Sequence, residues 1–250
     1  MSNPFFQFKK FTVWHDKCAM KVGTDGVLLG AWTNIDRADR ILDVGTGTGL
    51  VALMLAQRSD AFIVALEIDP NAAKQATENI EQSPWKDRMQ VIEGDFKEYK
   101  PSVHFDVIVS NPPYFTDSLK CPDSQRKTAR HNDNFTYIDL LKGVSEMLSE
   151  NGRFTVIIPS DIVNKVKETA NNFSLYPSQQ LNIITTPGQA PKRNLLTFTF
   201  ERQECQTEEL LIELSRHKYS NEYIKLGQCK KLRGKFINCY LCLQIHSLWS

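Results

Sequence analysis

Apolar residues along this chain follow two periods. From residue 40 onward, short runs rich in Val, Ile, Leu and Phe alternate with longer stretches in which apolar residues return every three or four positions. The runs at 40–44, 62–66, 89–93, 105–110 and 152–158 predict strands, and the stretches at 50–58, 71–82 and 137–149 predict helices. Alternation of this kind implies right-handed crossovers and a mostly parallel sheet with helices on both faces, an α/β fold. Two more strands, at 180–185 and 195–201, follow a helix at 162–172. The loop between them is too short for another crossover, so an antiparallel pair is expected to close the sheet edge. No internal repeat or low-complexity linker interrupts the pattern.

Composition adds the class and the compartment. With 250 residues, 41% of them hydrophobic and 24% charged, the chain is globular and long enough for one large core. Its apolar runs are too short to span a bilayer, and MSNPFFQFKKF lacks the basic-then-apolar order of a signal peptide. A cytoplasmic protein without membrane contact is expected. Cysteines at 18, 121, 205, 229, 239 and 242 are expected to be reduced thiols. The net charge of +1 is unevenly spread: residues 1–40 carry 6 basic and 4 acidic side chains, 41–110 carry 6 and 11, and 111–250 carry 18 and 14. An acidic middle third between basic segments suits a small-molecule pocket beside a surface that meets phosphates, although ordinary surface scatter gives the same totals.

Ligands of open α/β sheets bind beyond the carboxyl ends of the strands, so chemistry is sought there. After the first strand, ILDVGTGTGL places Gly45, Gly47 and Gly49 in the turn to a helix, with Asp43 just inside the strand. Missing side chains let a ligand approach the backbone and the helix N-terminus. The spacing departs from the dinucleotide fingerprint G-x-G-x-x-G, because the third glycine comes one residue early. The second strand ends in ALEIDP, where Glu67 lies 22 residues beyond Gly45, the interval at which an acid reaches a ribose diol. Asp69, ahead of Pro70, is better placed to start the next helix. At the third strand end, EGDFKE, Asp95 could accept from an adenine amino group and Phe96 could cover its ring.

The fourth strand ends in SNPPYF. Two successive prolines stiffen the loop, fixing the Asn111 side-chain oxygen and the Pro112 carbonyl as acceptors on the crevice rim, with Tyr114 as a flat face beside them. Two acceptors and an aromatic plate suit an exocyclic amine on a planar base. Accepting both N–H hydrogens frees the nitrogen lone pair and stabilises the positive charge that grows on nitrogen during attack on an electrophilic methyl group.

These residues resemble class I S-adenosylmethionine-dependent methyltransferases that methylate amino groups, marked by Asn/Asp-Pro-Pro-aromatic after the fourth strand. The resemblance is closer to the bacterial tRNA(Val) adenine N6-methyltransferases. It covers about residues 5–226 and includes GTDGVLLGAW (23–32), SPWKDR (83–88), ARHND (129–133) and PKRNLL (191–196). It implies a Rossmann-like, mostly parallel seven-stranded sheet, S-adenosyl-L-methionine as cofactor and tRNA as partner, methylated on the adenosine just 3′ of the anticodon. Asn111, Pro112 and Tyr114 would form the target-base site, and Asp43, Gly45, Gly47, Gly49, Glu67, Asp95 and Phe96 would line the cofactor. Arg130, His131, Lys192 and Arg193 would contact RNA. The stretch 116–134 is long for a loop and rich in Lys and Arg, as a cradle for a flipped base and its phosphates requires.

Methylation of ribosomal RNA or protein glutamine uses the same Asn-Pro-Pro-Tyr chemistry and stays open at this point, as does a nicotinamide-dependent oxidoreductase in the same crevice. The expected organisation is a methyltransferase domain over 1–226, with 1–39 lying over the cleft, and an atypical tail over 227–250. In that tail, Cys229, Cys239, Cys242 and His246 offer one close pair where a structural zinc site supplies two, so no metal is expected. His15 and Asp16 fall away from strand ends and suit structure or substrate contact. A monomer without an obligate protein partner is expected.

Overall fold

A hairpin of two short strands, β1 (Phe5–Gln7) and β2 (Thr12–Trp14), opens the chain, and α1 (Thr24–Trp32) follows it. The computed structural model describes residues 3–18, 21–113 and 135–227. The expected alternation comes next: β3 (Arg40–Val44), α2 (Leu50–Arg58), β4 (Phe62–Glu67), α3 (Pro70–Glu81), β5 (Met89–Glu93) and β6 (Phe105–Ser110). Then come α4 (Tyr137–Met147), β7 (Leu148–Pro159), α5 (Val163–Asn171), β8 (Tyr176–Ile184), β9 (Arg193–Thr199) and β10 (Gln206–Leu211). A small hairpin, β11 (Glu213–Ser215) and β12 (Lys218–Tyr219), precedes α6 (Asn221–Gly227). Tail residues 228–250 lie outside the described residues.

The main sheet has the order β10-β8-β9-β7-β6-β3-β4-β5, eight strands where seven were expected. Strands β3 to β7 run parallel, and β9 runs antiparallel to both β7 and β8. The antiparallel pair does not close the sheet, because β10 adds to β8 in parallel. Residues Gln206 to Glu209 of β10 are all exposed and only Leu210 is buried, so the apolar signature of a strand is missing. Backbone pairing to the free edge of β8 makes this strand.

Helices α1 and α2 cover one face of the sheet, with Ile80 of α3 joining their core, while α4 and α5 cover the other. Asp69 caps α3 by accepting from the Ala72 N–H at 2.8 Å, and Pro70 takes the first helical position, where its missing N–H costs nothing. Buried Arg58 of α2 donates to the carbonyls of Gly30 and Thr33, satisfying the end of α1.

Close approach of α1 to α2 depends on Gly30, where an added Cβ would lie 2.8 Å from Met54 Sδ and 2.9 Å from Met54 Cβ. Gly30→Leu gains roughly 1 kcal/mol of helix propensity but overpacks this contact by up to about 3 kcal/mol. The variant is expected to unfold at lower urea concentration with an unchanged slope, and an unchanged midpoint would mean that α1 is not held against α2.

Candidate active site

Parallel pairing sets the strand ends in register. Val44 of β3 lies opposite Ser110 of β6 and Leu66 of β4, and Glu67 lies opposite Glu93 of β5. One residue further along, Asn111, Gly45 and Glu67 therefore fall in a single row across β6, β3 and β4. With strands about 4.8 Å apart, the row from Asn111 to Glu67 spans roughly 10 Å. Buried Ser110 fixes the end of β6 by donating to the Val44 carbonyl at 2.9 Å. Nothing in the sequence marks this serine, because its partner is 66 residues away.

Gly45, Gly47 and Gly49 all have positive φ, at 70°, 58° and 79°. A Cβ at Gly45 or Gly47 would meet nothing within 4 Å, so left-handed backbone, not crowding, calls for glycine at these two positions. The N–H groups of Gly45 and Thr46 both donate to Leu66 O, that of Gly47 to Glu67 Oε2, and that of Gly49 to Thr46 O. With these donors committed internally, the loop offers few N–H groups to a pyrophosphate, which argues against the nicotinamide alternative.

Glu67 is buried and accepts twice from backbone, at 2.8 Å from Gly47 N and at 3.0 Å from Asp69 N. A carboxylate has about four lone-pair sites, so capacity for a ribose diol is left. Asp95 accepts from Lys97 N at 2.8 Å and lines the same cavity. Phe96 is buried, edge-on to Phe135 at 5.6 Å, and reaches the cavity because Gly143 of α4 leaves room for its ring.

Asp43 is 1% exposed and lies beneath the loop. Its Oδ2 accepts from Thr46 Oγ1 at 2.6 Å and from Ala52 N at 3.1 Å, tying strand, loop and helix together. Burial raises its pKa from 3.8 to about 7, helped by the nearby Glu67 charge and opposed by those two hydrogen bonds. The folded chain thus holds a proton that the unfolded chain releases between pH 3.8 and about 7. Stability from this group therefore falls as pH rises through that window, and the full penalty applies above it. Asp43→Asn keeps the shape and an acceptor, and is expected to flatten the fall in melting temperature between pH 5 and 8, an effect on the order of 1–4 kcal/mol. An unchanged pH profile would show that Asp43 is ionised throughout.

The crevice opens into a cavity of about 960 Å³ that Asn111, Pro112, the glycine loop, Glu67, Asp95 and Phe96 all line. That is the size of a site for a cofactor and part of a second substrate. Open space beside left-handed glycines, an acid with acceptor capacity at the second strand end and an aromatic edge on the wall fit S-adenosylmethionine. Asn111 is partly buried, Pro112 buried and Pro113 exposed. Tyr114, Arg130, His131 and the rest of the 116–134 stretch lie outside the described residues.

Exposed Lys192 lines the cavity. Arg193, expected to contact RNA, turns its Nε to Asp25 Oδ2 at 3.1 Å, joining the start of β9 to α1. His15 is buried, with Nε2 at 2.8 Å from Asn3 O, a structural role. Among the described residues, no group of three or more His, Cys, Asp or Glu side chains could hold a metal ion, and no helix is long and apolar enough to cross a membrane.

The fold and this row of strand ends define a class I S-adenosylmethionine-dependent methyltransferase. The family model of the methyltransferase small domain matches residues 20–173. A predicted O-methyltransferase from Agrobacterium tumefaciens shares the fold, with a TM-score of 0.66 at 20% identity over 85% of this chain and 100% of that one. A methyltransferase from Streptomyces caelestis has a TM-score of 0.55 at 12% identity over 74% of this chain and 95% of that one.

The chain belongs to the family of tRNA1(Val) (adenine(37)-N6)-methyltransferases. It is 66% identical to a protein of that name from Bacteroides fragilis over 229 residues, covering 90% of this chain and 97% of that one. With the protein of the same name from Bacteroides thetaiotaomicron it shares 64% over 228 residues, 90% and 96% of the two chains. A third, from Parabacteroides distasonis, is 48% identical over 231 residues, 91% and 98% of the two chains.

Proposed function

We infer that this protein transfers a methyl group from S-adenosylmethionine to N6 of adenosine 37 in tRNA1(Val). The register that sets Asn111 in one row with Gly45 and Glu67, so that the amine acceptors stand beside the cofactor crevice, carries the methyl transfer to an amine, and the 66% identity to a tRNA1(Val) (adenine(37)-N6)-methyltransferase supports the target. S-adenosylmethionine, when bound, supplies a methyl group activated by a sulfonium charge. Glu67 takes the ribose hydroxyls, the Gly45–Gly49 turn leaves the backbone open to the rest of the molecule, and Asp95 and Phe96 receive the adenine.

On the substrate side, Asn111 Oδ1 and the Pro112 carbonyl accept the two amine hydrogens, and Tyr114 stacks on the base. Holding both hydrogens draws the nitrogen toward a tetrahedral shape with its lone pair free. The same acceptors stabilise the charge that develops there, an interaction stronger in the transition state than in the ground state. The proton lost from nitrogen passes to solvent, so no strong base is needed.

Unmodified tRNA1(Val) transcript is expected to take up one methyl group, and the same transcript with G at position 37 none. Equal labelling of both would place the target elsewhere.

Lys192, with Arg130 and His131, is assigned to tRNA phosphates. Binding is expected to weaken steeply with salt, and Lys192→Ala to lower the slope of log K against log salt by about 1. An unchanged slope would remove Lys192 from the interface. We place the protein in the cytoplasm as a monomer, and sedimentation at the mass of a dimer would contradict the latter.

A further inference from the structure

Asn79 of α3 joins the N-terminal segment to the glycine loop. It is 1% exposed, and its amide makes three hydrogen bonds. Oδ1 accepts from Trp14 N at 2.9 Å, while Nδ2 donates to Trp14 O and to Thr48 O, each at 2.9 Å. The side chain thus pairs with both backbone groups of Trp14 as a neighbouring strand would, and turns its second hydrogen to the loop. One helical turn earlier, Gln75, also 1% exposed, accepts from Lys17 N at 3.0 Å. Between them Ala76 packs under Gly49, where an added Cβ would touch its methyl at 3.4 Å.

The segment anchored in this way continues to Cys18 and to Lys21, Val22 and Gly23, all of which line the cavity. One buried amide therefore touches both the loop beside the cofactor and the strand that leads to the N-terminal residues lining the same cavity. A shift of Thr48 would leave an N–H of Asn79 without a partner in a dry site, which is costly, so loop and segment favour matched positions.

We propose that Asn79 is a positioning residue that couples cofactor binding at the glycine loop to the ordering of residues 12–18, and so to the N-terminal wall of the cavity. Coupling of this kind is reciprocal: whatever the cofactor gains from an ordered segment, the segment gains from the cofactor. The proposal rests on the cofactor reading above.

The test combines S-adenosylhomocysteine titration with hydrogen exchange of residues 12–18 in the wild type, Asn79→Ala and Gln75→Ala. In the wild type, ligand binds and slows exchange of the segment about fivefold or more. In Asn79→Ala the segment stops responding to ligand, and affinity falls about fivefold or more. Gln75→Ala loosens the segment but keeps its response, because the bond to Thr48 survives, an outcome that a merely structural clamp would not separate from the first. If Asn79→Ala fails to fold, Asn79→Asp carries the comparison, since it keeps the acceptor for the Trp14 N–H and loses the donors to Trp14 O and Thr48 O. A ligand response in the loop-uncoupled variant equal to that of the wild type overturns the proposal, as does a wild-type segment indifferent to bound ligand. A wild type that does not bind S-adenosylhomocysteine overturns the cofactor reading instead.

Discussion

Asn111→Ala is expected to lower kcat for methyl transfer by roughly 10²–10³ while S-adenosylhomocysteine binds as tightly as to the wild type. The magnitude follows from what is removed. In the proposed function Asn111 is one of two acceptors that act on the amine as its charge develops, and loss of one such preorganised group costs about 3–4 kcal/mol in other transition states. The cofactor is spared because Asn111 follows the end of β6, one strand away from the glycine turn and two from Glu67. Pro112 and the bond from Ser110 to Val44 keep the loop end in place after truncation. Asn111→Asp keeps an acceptor oxygen and is expected to retain more activity than the alanine variant. Steady-state rates with tRNA, beside calorimetric titration of S-adenosylhomocysteine, separate the two effects. Lost cofactor affinity with intact kcat would reverse the assignment.

Glu67→Ala is expected to act the other way, raising the dissociation constant for S-adenosylhomocysteine by roughly 10²–10⁴-fold. Hydrogen bonds to a charged group contribute roughly 1.5–3 kcal/mol each, and the proposed function gives this carboxylate two ribose hydroxyls. The substitution also frees the Gly47 and Asp69 N–H groups that Glu67 now accepts, so the turn loses part of its internal support. Glu67→Gln keeps acceptor oxygen on the same skeleton and is expected to fall between the alanine variant and the wild type. Titration of S-adenosylhomocysteine checks this, and wild-type affinity in Glu67→Ala would mean that the ribose lies elsewhere.

The sequence reveals strands and helices where burial is one-sided or complete over a short run. Strands at 40–44, 89–93 and 105–110 and the helix at 50–58 match β3, β5, β6 and α2 to the residue. Helix α1 escapes notice because Gly26 to Ala31 are all buried, so no apolar face repeats at the helical period. Strand β7 begins at Leu148, four residues ahead of the expected start, and its polar residues Glu150 and Asn151 fall where the register against β6 shifts, so they read as a loop. Strand β8 begins at Tyr176 and runs through Pro177, where its register shifts, and a proline reads as an end of strand.

Site residues at strand ends follow from topology alone, which is why Gly45, Glu67 and Asn111 come together as expected. Pairs built across long separations do not. Arg193 with Asp25, 168 residues apart, and Asn79 with Trp14, 65 apart, exist only once the sheet has formed. Asp43 is expected at the cofactor and lines the cavity, yet its hydrogen bonds to Thr46 and Ala52 bind the turn from beneath, which spacing does not reveal.

The most direct measurement is the identity of the nucleoside made when wild-type protein, methyl-labelled S-adenosylmethionine and unmodified tRNA are incubated together and the RNA is digested and weighed. The account predicts label in N6-methyladenosine and in no other nucleoside. Label in another nucleoside, or none in tRNA from a protein that binds S-adenosylhomocysteine, would contradict it.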